Sequence, residues 1–231
     1  MLLDGNAIVV ANAVAALMEI SKTARKNYLK VTREILGKLL SALNETNEWG
    51  QIYILESIQR YKPKSHKETE EIIERIIPRL VHANPAVVLA GVKNVLKFMD
   101  HLKGKDVVKA LSKKLAAPLL TLLSSEPEIQ YVALRNINFI LQKHPNIFDK
   151  NIKVFFVRYT DPLYVKMEKL DVLVKVADNG NIDLIMSELK EYCYYIDEEF
   201  ARKSVKTIGH VAIKVERCAR RAVDIIEEIA K

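Results

Sequence analysis

Apolar positions along this chain recur with helical spacing, and they do so behind the same kind of turn. The turn pairs are Asn6-Ala7, Asn47-Glu48, Asn84-Pro85, Glu126-Pro127, Asp161-Pro162 and Asp197-Glu198. Seven residues past the second member of a pair stand Val14, Leu55, Val92, Leu134 and Val205. Ten past it stand Leu17, Ile58, Val95, Ile137 and Ile208. The fifth copy fits with a one-residue slip, which brings Leu170 and Leu173 into the two columns. Positions three apart share one face of a 3.6-residue helix, so the columns predict a single buried stripe per helix. A small residue precedes the first column as Ala13, Gly91, Ala133 and Ser204, which lets a neighbouring helix come close; Ile54 and Lys169 are the exceptions.

Other amphipathic stretches fall between these helices: Glu34–Asn44, Thr69–Ala83, Asp106–Ser124, Lys150–Tyr159 and Asn181–Tyr195. The pattern reads as helix, tight turn, helix, repeated. Successive spacings in the first column are 41, 37, 42, 36 and 35 residues. A fixed-length repeat such as ankyrin does not vary so much, whereas HEAT and armadillo arrays do. The predicted fold class is all-α, a HEAT/armadillo-like α-solenoid of about five to six hairpins, with residues 1–231 forming one solenoid segment. Pro78 and Pro118 fall inside two first helices and are expected to kink them, because each removes a backbone hydrogen bond. Only Met1-Leu2-Leu3 precedes the first turn, and Glu216–Lys231 forms a first-type helix without a mate. Neither end reads as a polar cap, which predicts a piece of a longer array.

Composition agrees with a folded helical chain. Apolar residues make up 49% and charged residues 28%, and seven Gly and seven Pro are few for an all-β protein. Two cysteines, Cys193 and Cys218, are too few for a disulfide framework and suggest a reducing compartment. With no secretory signal at Met1-Leu2-Leu3-Asp4, the sequon Asn44-Glu45-Thr46 reads as unused and the protein as cytosolic. No run of about 18 apolar residues predicts a transmembrane segment.

Catalytic patterns are missing. Neither dinucleotide nor P-loop glycine motifs occur, and there is no HExxH or CxxC zinc signature. His66, His82, His101, His144 and His210 lie far apart and read as helix-end or surface residues. The two cysteines read as buried helix residues. Glu70-Glu71 and Glu198-Glu199 read as first-turn acids that complement the helix dipole. The sequence predicts no catalytic residue, no cofactor and no metal.

Charge offers the remaining candidate. Net charge is +7. Arg202, Lys203, Lys206, Lys214, Arg217, Arg220 and Arg221 crowd into twenty residues with one acid, Glu216. Smaller basic groups surround Lys26 and Lys62. Such a stripe suits an anionic lipid surface or an acidic partner; the plainer reading is a solvated face with stems laid along apolar surface. Aromatic residues are not interleaved with these charges as single-strand binders require, so nucleic acid is not an expected partner.

Long strings carry a more specific signal. They include "NAIVVANAVAALMEI" at Asn6–Ile20, "ALNETNEWGQIYIL" at Ala42–Leu55 and "PRLVHANPAVVLAGVK" at Pro78–Lys93. Further along stand "KKLAAPLLTLLSSEPEIQYVALRNINFILQKHP" at Lys113–Pro145, "IKVFFVRYTDPLYVKMEKLDVLVKVA" at Ile152–Ala177 and "RKSVKTIGHVAIKVE" at Arg202–Glu216. Over nearly its whole length the chain resembles a central piece of the trunk of beta-adaptins, the large beta subunits of clathrin adaptor complexes. That resemblance implies a non-enzymatic subunit of a heterotetramer, clasping the medium subunit and meeting the small and second large subunits. It implies cargo selection in vesicle-mediated transport, clathrin contact through downstream regions not present here, and a peripheral place on coated vesicles, trans-Golgi, endosomal or plasma membranes. It also implies one site residue. In the closed complex an apolar side chain just after the string "ELKEY", here Glu188–Tyr192, occludes the medium subunit's pocket for tyrosine-based sorting signals; Ile196 matches it. The plainer role for Ile196 is to pack the turn before Asp197. Ser21–Thr32 and Cys193-Tyr194-Tyr195 depart from the family pattern. The alternative is another HEAT scaffold: a nuclear transport receptor, against which the basic charge counts, or a phosphatase scaffold.

Overall fold

The computed structural model describes residues 1–143, 147–148 and 151–230, and every regular element among them is helical. These residues gather into two compact units, Met1–Pro118 and Leu119–Lys231. The first holds α1 (Ala7–Thr23), α2 (Arg33–Ala42), α3 (Glu48–Ile58), α4 (His66–Ile76), α5 (Pro85–Met99) and most of α6 (Lys105–Leu122). The second holds α7 (Pro127–Lys143), α8 (Leu163–Val176), α9 (Ile182–Tyr192), α10 (Glu198–Lys214) and α11 (Ala219–Ile229). The repeating helical hairpin is that of an α-solenoid.

Helix starts follow from capping chemistry. Asn6, Asn47 and Asn84 each sit in extended backbone before a helix and accept an N–H from its first turn, at 2.9 Å in all three cases. Asp197 does the same for Phe200, also at 2.9 Å. Such caps satisfy donors that the helix itself leaves unpaired and contribute about 1 kcal/mol each. The fifth copy differs. Its helix, α8, begins at Leu163 rather than Pro162, so Pro162 occupies the cap position. Counted from the true first residue, Leu170 and Leu173 take offsets seven and ten like the others, and the apparent slip disappears.

Burial confirms the columns. Val14, Leu55, Val92, Leu134 and Leu170 are fully buried, as are Ile58, Val95, Ile137, Leu173 and Ile208. Leu17 and Val205 are half-buried. In the first unit α1 packs on α3 and α3 on α5, with α2 and α4 on the flank. In the second, α7 packs on α8 and α8 on α10, with α9 and α11 against α10. Each buried Leu, Ile or Val removes its side chain from water for about 1.5–3 kcal/mol. Gly91 shows what the small column does: a Cβ added there lies 3.3 Å from Leu80 and 3.5 Å from Arg79. The glycine brings α5 close to the segment just before it.

Several expectations are corrected. Pro78 does not kink a continuing helix: α4 stops at Ile76 and the chain tightens into a 3-10 turn, Ile77–Val81, that accommodates the proline near its start. Pro118 stays inside α6. The helix expected over Lys150–Tyr159 is a short 3-10 turn, Ile152–Phe155, with extended backbone at Phe156 and a turn at 159–160, while Lys150 itself lies outside the described residues. Glu70 and Glu71 fall in the second turn of α4, whose first-turn acid is Glu68. Glu198 and Glu199 are first-turn residues of α10 as expected.

Two buried polar clusters replace apolar packing. Lys169 stands in the small column of α8 yet is only 2% exposed. Its ammonium pairs with Asp161 at 2.6 Å and donates to the Phe156 carbonyl at 3.2 Å. Asp161 also accepts the Arg158 N–H at 2.8 Å. The residue that elsewhere caps a helix is here turned inward to hold a lysine, which explains both the missing side-chain cap and the exception in the small column. Burial pushes the Lys169 pKa down, and Asp161 opposes that shift. In the first unit Glu68 accepts the Tyr61 hydroxyl at 2.7 Å and the Lys64 N–H at 2.7 Å, with Arg33 3.6 Å away. Its pKa is pushed down, chiefly by Tyr61 and then by the Lys64 N–H, with burial opposing. The Tyr61 hydroxyl moves the other way, up to about 12, through burial and its bond to Glu68.

Two predictions follow from these clusters. Lys169→Met leaves Asp161 buried without its cation and destabilises the protein by about 3–5 kcal/mol, while adding Asp161→Asn recovers most of that loss. Urea midpoints of the single and double variants check this, and equal losses contradict it. Glu68 is favoured in its ionised form, so its contribution is complete above the ordinary carboxylate range and disappears as pH falls through its lowered pKa. Glu68→Gln therefore costs about 1.5–3 kcal/mol at neutral pH, and the gap to wild type closes in acid. A gap independent of pH refutes the assignment.

Candidate protein-binding surface

The connection between α9 and α10 carries the predicted contact residue. Ile196 is 99% exposed, so it does not pack the turn. The residues on either side are fixed. Asp197 is committed to the α10 cap. Tyr195 packs its ring on Phe200, with centroids 5.0 Å apart, and on Tyr192, 6.0 Å away, both edge-on. The Lys166 ammonium lies 5.0 Å from the centre of the same ring. Phe200 is fully buried and Tyr192 nearly so. The Tyr192 hydroxyl accepts the Val157 N–H at 2.8 Å and donates to Glu188 at 3.0 Å, which ties the end of α9 to the extended segment before α8. Burial pushes the Tyr192 and Tyr195 phenols up.

Sequence reasoning singled out Cys193-Tyr194-Tyr195 only as a departure from the family pattern. It did not foresee that one of these tyrosines joins an aromatic cluster while its neighbour, Tyr194, faces solvent. The available signal was the spacing: Tyr192, Tyr195 and Phe200 bracket a helix cap, and Lys166 stands one turn into the preceding hairpin's α8. Cys193 itself is buried and donates to the Leu189 carbonyl, and burial pushes its thiol up to about 11. A thiol so placed is a packing residue rather than a nucleophile at neutral pH. Cys218 is likewise buried with a raised pKa.

The seven basic residues do not form one free patch. Lys203 donates to Asp171 at 2.9 Å and to the Met167 carbonyl at 3.0 Å. Lys214 donates to the Val174 and Lys175 carbonyls, at 3.1 and 2.6 Å, at the end of α8. Arg217 reaches the Asn179 carbonyl, and Arg221 reaches Asp183 and Ser187. Arg202 pairs with Glu198 on its own helix. These contacts bridge positions 32 to 40 residues apart, one repeat to the next, apart from the Arg202 pair. Lys206 and Arg220 are exposed and, among the described residues, make no polar side-chain contact, neither a bridge to the next repeat nor a pair within their own helix. Comparable bridges occur elsewhere, as Lys175 to the Asn138 carbonyl at 3.0 Å and Lys97 to that of Gln59.

The remaining candidate groups sit apart. His66 opens α4, His82 and His101 lie past helical segments, His210 is exposed on α10, and His144 lies outside the described residues. Among the described residues no group of three His, Cys, Asp or Glu side chains is gathered to hold a metal, and no helix is long and apolar enough to cross a membrane. An open groove of about 450 Å³ in the second unit is lined by Arg135, Asn138, Phe139, Glu168, Asp171 and His210 among others. Its charges are partly paired, Arg135 with Glu168 at 3.3 Å.

Comparison with known proteins places this geometry. Residues 1–231 match the adaptin N terminal region. The chain is 53% identical over 228 residues to the AP-1 complex subunit beta-1 of Mus musculus, covering 98% of this chain and 24% of that protein. It is 48% identical over 226 residues to the AP-1 complex subunit beta of Dictyostelium discoideum, again 98% of this chain and 24% of the relative. To the AP-2 complex subunit beta of Schizosaccharomyces pombe it is 42% identical over 230 residues, 99% of this chain and 34% of that protein. The chain thus spans about a quarter to a third of these relatives, and what was placed as a central piece of the trunk lies in the adaptins' N-terminal region. The helical hairpins and the match along the whole length agree: the chain belongs to the adaptin family.

Proposed function

We propose that this chain is part of a beta-type subunit of a clathrin adaptor complex and serves as a binding scaffold in vesicle-mediated protein transport. It grips the medium subunit and meets the small and second large subunits, and clathrin is reached through other regions of the subunit. Its place of work is the cytoplasmic face of coated membranes, and its role is to bind rather than to catalyse. Support comes from relatives named as beta subunits of AP-1 and AP-2 complexes. The same helix register recurs in both units, which supports reading residues 1–231 as one segment of a single repeat array.

Within that role Ile196 occludes the medium subunit's pocket for tyrosine-based sorting signals. The observation that carries this is its full exposure on a turn whose flanking residues are held. An apolar side chain presented to water gains about 1.5–3 kcal/mol by entering an apolar slot. The basic surface is a second contact, made to anionic lipid by Lys206 and Arg220 in particular, because neither is occupied by a partner among the described residues.

Three measurements test these assignments. The complete beta subunit, co-expressed with the other three subunits, co-purifies with them. In that complex Ile196→Ser raises affinity for a tyrosine-signal peptide by about tenfold; unchanged affinity removes Ile196 from the pocket. Lys206→Gln with Arg220→Gln lowers binding of the complex to vesicles containing anionic lipid, at about 1 kcal/mol per neutralised charge, and equal binding assigns those residues to an ordinary solvated face.

A further inference from the structure

We infer that Tyr195, Phe200, Tyr192 and Lys166 form a clamp that holds Ile196 in its outward pose, so that Tyr195 is a positioning residue for the Ile196 contact. The inference rests on the assignment of Ile196 to a partner's pocket, and it adds how that side chain is presented.

A single exposed isoleucine on a loose loop is a poor plug. Ordering the loop on insertion costs conformational entropy that subtracts from the burial gained, and prior ordering removes that cost. Here the residue before Ile196 and the residue after it are both immobilised, by different physics. Tyr195 is pinned by two edge-on aromatic contacts, at 5.0 and 6.0 Å, and by an ammonium 5.0 Å from its ring centre. Asp197 is pinned by its hydrogen bond to the Phe200 N–H at 2.9 Å. Phe200 serves both, as the wall for Tyr195 and the donor to Asp197.

The clamp has a fixed base. Phe200 is fully buried, and Tyr192 is bonded to Val157 and Glu188. Lys166 projects from α8, the helix whose start is anchored by the buried Lys169–Asp161 pair. Tyr159, 5.8 Å from the same Lys166 ammonium, completes the surround from the segment before α8. Ile196 is therefore presented to solvent almost completely, between two neighbours that are each held by contacts within the second unit.

The test uses the assembled four-subunit complex with the complete beta subunit, and it reads two quantities: affinity for a tyrosine-signal peptide and amide hydrogen exchange across residues 193–198. Tyr195→Ala is expected to speed exchange in that turn and to raise peptide affinity by about threefold to fivefold, less than Ile196→Ser does. Tyr195→Phe keeps the ring contacts and is expected to match wild type in both. Added to Ile196→Ser, Tyr195→Ala is expected to change peptide affinity no further. The clamp is overturned if Tyr195→Ala leaves exchange unchanged, or raises peptide affinity equally in the presence and absence of Ile196. Failure of the underlying pocket assignment looks different: Ile196→Ser then leaves affinity unchanged whatever the exchange shows.

Discussion

No helix in this chain can bury its apolar stripe alone. α3 has a buried face made of Ile54, Leu55 and Ile58, and that face needs α1 on one side and α5 on the other. The same holds in the second unit for α8, held between α7 and α10. Burial by stacking is the constraint on which the rest depends, because it sets a direction of growth and leaves helix ends, turns and outer faces free for other work. The small column serves that constraint by letting backbones approach, as at Gly91.

Polar side chains then lock neighbours in register. Cations donate to carbonyls of the preceding repeat, as Lys97 and Lys214 do at helix ends, where the termini carry unpaired acceptors and negative dipole. A lysine or arginine so engaged is part of the fold even when its stem is exposed. Charge density along a sequence therefore overstates the free positive surface: in the richest cluster Lys206 and Arg220 alone are left without a partner among the described residues. The Lys169–Asp161 pair extends this logic inward, taking a cap residue out of its ordinary role to anchor the extended segment after the Ile152–Phe155 turn.

The proposed contact at the exposed turn follows from what stacking leaves over. Repeat scaffolds present side chains that stacking does not consume, and Ile196 is exposed in this way between a terminated helix and a capped one; its binding role is our proposal. Rigid aromatic support beneath an exposed apolar tip suits recognition by insertion, since binding energy is then spent on burial rather than on ordering.

Much of this was legible in the sequence. Asn6, Asn47, Asn84 and Asp197 mark helix starts through local hydrogen bonds, and the columns mark buried faces through helical periodicity; both act within a few residues. The shared strings carried the family, and with it attention to Ile196. What local pattern misread shares a physical reason. The start of α8 and the placement of Lys169 depend on a buried pair closed across a turn. The absence of an α-helix at 151–159 and the pairing of Lys203, Lys214, Arg217 and Arg221 depend on partners up to about one repeat away. Exposure of Ile196 and immobility of Tyr195 follow from where Phe200 and Lys166 come to rest, which tertiary packing alone decides.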